Sequence, residues 1–212
     1  MEEYLSPTLF LDFNDEKVQQ FCLDIKQEDN PREKAVSLYY KVRDGFIYDP
    51  YHLDIRSEAL IASKIVTKRR AWCVEKAILF VACCRYLEIP ARLGFGIVIN
   101  HLGAEQLKTY LKREEIVFHG YGEVFLDGKW VKTTPAFDKI ACRASKVSPL
   151  EWDGTSDAML QAYDGNQQFM EYIHFYGTFA DLPIALLRQE MQQYYPHLFE
   201  TIHSRKEFSF TF

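Results

Sequence analysis

The spacing of apolar residues along the chain changes period at Pro90. Before it, apolar positions recur three and four residues apart. Val18, Phe21, Cys22 and Ile25 make one face of a first helix that Asn14 or Asp15 can cap. A second helix starts at Asn30 with Pro31 in its first turn, runs through Ala35, Leu38, Tyr39 and Val42, and stops at Gly45. Residues 57 to 67, SEALIASKIVT, predict a third, shorter helix. From Cys73 to about Leu87 the pattern is apolar nearly all round, which predicts a buried central helix ended by Glu88, Ile89 and Pro90.

After Pro90 the period becomes two. Leu93, Phe95, Ile97 and Ile99 alternate with Arg92, Gly94, Gly96 and Val98, which reads as a strand. Residues 101 to 114, HLGAEQLKTYLKRE, are polar with weak helical spacing and predict an excursion between strands. Val117 to Leu126 and Lys129 to Thr134 flank Asp127-Gly128, the pair favoured in a two-residue type I′ hairpin turn. The C-terminal third reads as short loops around DGTSDA and FADLP, then a helix from Pro183 to about Tyr195. Helices, a central helix, then antiparallel strands give an α+β class. With no repeat, low-complexity tract or linker, residues 1 to 212 are expected to form a single domain.

Composition narrows the function. The chain is 48% hydrophobic with a net charge of -5, which argues against nucleic acid as a partner. The N-terminus lacks the charge and apolar run of a signal peptide, and no later run reaches the roughly 18 apolar residues of a membrane span. A cytoplasmic, membrane-free protein is expected. Five cysteines, with Cys83 and Cys84 adjacent in a helical pattern, do not read as a disulfide framework. There is no CxxC pair, and His174 with Asp157 or Asp181 matches no ligand spacing, so neither a metal nor a cofactor is expected.

Candidate chemistry starts at RRAWCVEKA. Cys73 falls at the first turn of the central helix, where unpaired amides and the helix dipole favour a thiolate; the position predicts a lowered thiol pKa. Cys22, Cys83, Cys84 and Cys142 read as packed core. The two-residue turn fixes a hairpin register in which Phe125 faces Trp130 and Tyr121 faces Thr134. Alternation then places His119, Tyr121, Glu123 and Phe125 on one face with Trp130, Lys132 and Thr134. Thr134 is diagonal to His119; a strand continued past Pro135 would bring up Asp138 as the other diagonal neighbour, and either could orient the imidazole. Trp72 can supply an oxyanion donor through its indole or staple the helix start, and Tyr121 can line a cleft or pack.

These segments resemble those of the transglutaminase-like superfamily. AWCVEKAILFVACCRYLEIPARLGFG looks like its nucleophile segment, and FHGYGEVFLDGKWVKTTPAFD like the segment that carries its histidine and third catalytic residue. The likeness covers about residues 35 to 138, leaving a family-specific extension over about 139 to 212. It implies a papain-like α+β fold, with the nucleophile helix packed on an antiparallel sheet and a Cys-His-Asp triad. By that resemblance Cys73 is the nucleophile and His119 the base. Where the common pattern has aspartate, WVKTTPA has Thr134, which can hold an imidazole but brings no charge. The TTPAFD segment and the later WDGTSDA and MEYIHFYGTFADLP resemble a bacterial subgroup.

The expected function is cysteine-dependent acyl transfer, with hydrolysis of a peptide or other amide through a thioester. The alternatives are a degenerate peptide-binding module of the same fold and, ranked last, an arylamine acetyltransferase-like enzyme.

Overall fold

The computed structural model describes residues 1–27, 30–101, 105–161, 169–200 and 209–211. Asp15 caps α1 (Glu16–Phe21), accepting from the Lys17 amide at 2.9 Å. This helix is shorter than predicted: Cys22 closes it and Ile25 falls in a separate 3-10 turn, yet Val18, Cys22 and Ile25 are all buried. Helix α2 (Pro31–Gly45) has the predicted bounds and the predicted Asn30 cap. Strands β1 (Ile47–Tyr48) and β2 (His52–Asp54) follow. The third predicted helix divides into a 3-10 turn, Ser57–Leu60, and the single turn of α3 (Ala62–Ile65), because Ile61 between them is extended, with φ -88° and ψ 133°. Strand β3 (Arg70–Ala71) pairs in parallel with β1 and delivers the chain to the central helix, α4 (Cys73–Tyr86).

Val74 and every residue from Ala77 to Cys84 are fully buried. At roughly 1.5–3 kcal/mol for each large apolar side chain withdrawn from water, α4 is a principal source of stability. The buried Arg85 guanidinium ties its far end to three segments by donating to the carbonyls of Ala91, Ser6 and Ala180 at 2.9, 2.8 and 2.7 Å. Glu88, left-handed at φ 64°, then turns the chain into β4 (Ala91–Asn100).

The polar excursion contains α5 (Glu105–Leu111); residues 102–104 of it lie outside the described residues. Next comes the hairpin of β5 (Glu115–Leu126) and β6 (Lys129–Thr133), whose turn residues Asp127 and Gly128 have φ 48° and 83°, as type I′ requires. Its ladder has the predicted register from Leu126 opposite Lys129 to Gly122 opposite Thr133. There it ends: the Thr134 amide donates to the Ala158 carbonyl at 3.0 Å instead of extending the ladder to Tyr121. Helix α6 (Lys139–Ala144) follows.

The C-terminal third departs most from expectation. MEYIHFYGTF forms a ten-residue strand, β7 (Met170–Phe179), that the spacing did not predict. Two register shifts against β4 break its alternation, so its aromatic residues do not fall at every second position. Then come α7 (Ile184–Tyr194), close to the predicted helix, α8 (Pro196–Glu200), and β8 (Ser209–Thr211), which pairs antiparallel with β2.

The central sheet has the order β6-β5-β4-β7, with every neighbouring pair antiparallel, and α4 packs across β5. This is the expected α+β arrangement. Two glycines set the closeness of that packing. A Cβ on Gly120 would stand 3.0 Å from the Val74 Cα and 3.2 Å from the Cys73 carbonyl oxygen, and one on Gly122 would stand 2.8 Å from the Phe80 ring. Backbone therefore lies on backbone where the helix begins.

Candidate active site

Because Gly120 and Gly122 face α4, alternation turns His119, Tyr121 and Glu123 to the opposite face of β5. Cys73 lies beside Gly120, the residue that follows His119 in β5. Three backbone amides favour its ionised sulfur: that of Gly120, adjacent to His119, and those of Val74 and Cys73 itself in the first helical turn. Trp72 precedes the helix, its amide donating to the Glu75 carboxylate at 3.2 Å, while Lys68 pairs with the same carboxylate. This half of a capping box explains Glu75 in the first turn.

The expected thiolate is not the resting form. Cys73 is 4% exposed, and burial outweighs the three amides, pushing the thiol up to about 11. Burial also takes His119, with no exposure, down to about 4. Both groups are accordingly neutral at neutral pH. The cavity over the sulfur measures only about 30 Å³ and is lined by Tyr48, Pro50, Trp72, Leu107 and Leu111 of α5, and Tyr195 among others. The excursion between the strands closes over Cys73. Among the described residues, the buried Nε1 of Trp72 and Nε2 of His119 find no hydrogen-bond partner.

Sequence reasoning offered Thr134 or Asp138 to hold His119, and the structure gives that contact to neither. Asp138 is committed elsewhere: its carboxylate caps α6 through the amides of Ile140 and Ala141 at 2.6 and 3.1 Å and accepts from the Tyr48 amide at 2.6 Å. Past Pro135 the strand does not continue, which removes the register argument that placed Asp138 beside the imidazole. Thr134 stays close, but the group bonded to His119 Nδ1, at 2.8 Å, is the hydroxyl of Tyr172 in β7. Phe137 stacks on the imidazole, with ring centroids 6.5 Å apart. Tyr121 does not line the cavity over Cys73; its ring lies over Gly94, where a Cβ would come within 2.1 Å of it, and packs against Tyr172 and Phe175.

Tyr48, Gly120 and Tyr172 were missed from the sequence. The readable signal for Tyr172 was the glycine at 96: a Cβ there would meet its ring at 2.7 Å, so Gly96 clears the space through which the tyrosine crosses β4.

Two further cavities adjoin the helix start. One of about 300 Å³ shares Tyr48, Pro50, Leu107 and Ile116 with the cavity over the sulfur, and among the described residues no lysine, arginine, aspartate or glutamate lines it. The other, of about 550 Å³, holds Asp49, His52, Asp54, Lys68, Arg70 and Glu75, but not Cys73. Its charges pair largely with one another, His52 and Arg70 with Asp49 at 2.8 and 3.6 Å and Lys68 with Glu75.

A cysteine opening a buried helix, packed on an antiparallel sheet whose neighbouring strand carries a histidine, defines the class of thiol-centred α+β domains. Within that class, the chain belongs to the transglutaminase-like superfamily, whose sequence model matches residues 19–135. No curated protein matches the chain. Among solved structures it is similar to "a Putative Cysteine Protease from Cytophaga hutchinsonii", at 21% identity and a TM-score of 0.48, over 67% of this chain and 42% of that one. The chain thus spans less than half of that protein, and membership of the superfamily rests on the sequence match.

Proposed function

We propose that the protein is a cysteine-dependent acyl-transfer enzyme that cleaves a peptide or other amide through a thioester on Cys73. The observation that carries this reading is a cysteine in the first turn of the buried helix whose ionised form is favoured by nearby backbone amides, one of them adjacent to a buried histidine.

In this reading, the Cys73 sulfur attacks the substrate carbonyl as its proton passes to His119. The carbonyl oxygen takes the developing charge and accepts from the Cys73 amide and the otherwise unpartnered Trp72 Nε1–H. His119 then returns the proton to the departing amine, leaving an acyl thioester that water or a second amine resolves. Because thiol and imidazole rest neutral, charge separates only during attack. The uncharged 300 Å³ cavity beside the sulfur suits an apolar substrate group, and entry needs Leu107 and Leu111 to move outward. The five thiols, all unpaired, suit a reducing, cytoplasmic setting. We read TTPAFD as marking a bacterial subgroup of the superfamily.

The second reading, a peptide-binding module without turnover, is favoured by the raised thiol and by a threonine at the carboxylate position. Incubation with p-nitrophenyl acetate, followed by peptide mass mapping, separates the two. The enzyme reading expects an acetyl thioester on Cys73 that is absent from Cys73→Ser and at least about tenfold slower to form in His119→Ala. A protein that leaves Cys73 unacylated is the binding module.

A further inference from the structure

The residue that holds His119 comes from β7, beyond the part of the chain that matches the superfamily. We propose that Tyr172, backed by Thr134, is the positioning residue of the site, fixing His119 in the tautomer that carries its proton on Nδ1. The proposal rests on reading His119 as the base.

Four observations converge on it. The hydroxyl lies 2.8 Å from Nδ1. The Thr134 hydroxyl lies near enough to the same tyrosine to favour its ionised oxygen, and it also approaches the Met159 sulfur at 4.0 Å. The tyrosine is held on both sides, stacking on Phe175 with centroids 4.9 Å apart and filling the space above Gly96. Asp138, the carboxylate that the sequence offered for the imidazole, is occupied as a helix cap.

Hydroxyls can donate in series, and the direction of the series decides the tautomer. Thr134 favours the ionised phenol oxygen, so its hydroxyl approaches that oxygen as a donor and leaves the oxygen's other lone pair to the imidazole. The Tyr172 oxygen then accepts from His119 Nδ1–H. That order leaves the lone pair on Nε2, the ring nitrogen with no protein partner, free to take the thiol proton. A carboxylate would do the same and would also stabilise the imidazolium. The hydroxyl series fixes geometry without adding charge, and burial keeps Tyr172 protonated by raising its pKa well above the usual phenol value. Thr134 at the aspartate position is thus part of a working relay of neutral groups.

The test is nitrogen-15 NMR of the imidazole in the full-length protein, with Cys73 alkylation by iodoacetamide read beside it. Wild-type His119 should show a protonated Nδ1 and an unprotonated Nε2. Tyr172→Phe should mix the tautomers and slow Cys73 alkylation about tenfold, the lower range for losing an orienting partner. Thr134→Val should move the shifts in the same direction by less. Tyr176→Phe removes a hydroxyl from the same strand that bonds Glu190 instead, and should leave the imidazole unchanged. A wild-type imidazole protonated on Nε2, or shifts unaltered by Tyr172→Phe, overturns the proposal. A correct tautomer in a protein whose Cys73 never acylates leaves the relay standing and removes the enzyme reading.

Discussion

Both ends of the central helix carry cysteines, and the two ends make opposite use of the same residue. Cys73 opens α4, and Cys83 and Cys84 lie about three turns further on. All three are buried, and burial raises every one of their pKa values. At the start of the helix three amides oppose that rise. At the far end the hydrogen-bond neighbour of Cys83 is the thiol of Cys22, which raises it further. Unpaired amides occur only in the first turn of a helix, so position selects the candidate nucleophile where burial cannot. The far cysteines are packing.

The comparison breaks most directly at Gly120. A Cβ there meets the backbone of Val74 and Cys73, which cannot step aside as a side chain can. Gly120→Ala should cost about 2 kcal/mol, the usual scale of overpacking, and should displace the Gly120 amide from the sulfur. Denaturant melts would show the first loss, and slower acylation at Cys73, with the far thiols unchanged, the second.

A second effect divides the two ends by pH. His119 titrates at about 4 folded against 6.5 as a free side chain, a depressed value, so its contribution is complete above 6.5 and is lost as pH falls towards 4. The loss should be on the order of 3 kcal/mol, because each tenfold change in proton affinity between folded and unfolded chain is worth about 1.36 kcal/mol. The raised thiols of Cys83 and Cys84 act in the reverse sense: their contribution is complete below 9 and falls as pH rises beyond it. Stability curves should lose the part of their acid limb between 6.5 and about 4 in His119→Gln and part of their alkaline limb in Cys83→Ala. An unchanged acid limb in the histidine variant would mean that His119 is solvated.

The mildest change concerns access. Leu107→Ala enlarges the 30 Å³ space over Cys73, and iodoacetamide should then reach that sulfur several-fold faster, with Cys83 and Cys84 unaffected. Equal rates in both proteins would show that α5 does not gate the site.

How much could be read in advance follows from the same contrast. The hairpin was legible because a two-residue Asp-Gly turn fixes register by itself, and the central helix because its apolar run ends at Pro90. The position of Cys73 was legible too, since helix starts announce their amides. Its resting protonation was not, because desolvation depends on Leu107, Leu111 and Tyr195, which sequence leaves far apart. Nor was the partner of His119: β7 hides behind register shifts that spoil its alternation, and Pro135 diverts Thr134 from the ladder. The glycines at 94 and 96 were read only as one side of a strand, although each marks a place where a tyrosine ring crosses it.

The central claim is that the amides and His119 make Cys73 the reactive thiol of this helix despite its burial. The pH dependence of iodoacetamide labelling at Cys73, Cys83 and Cys84, measured together in wild type and in His119→Ala, tests it most directly. Cys73 should label at least about tenfold faster than the other two near neutral pH, on the scale of general-base assistance, and should lose that advantage without His119. Labelling of all three at the same slow rate, indifferent to the histidine, would contradict the claim.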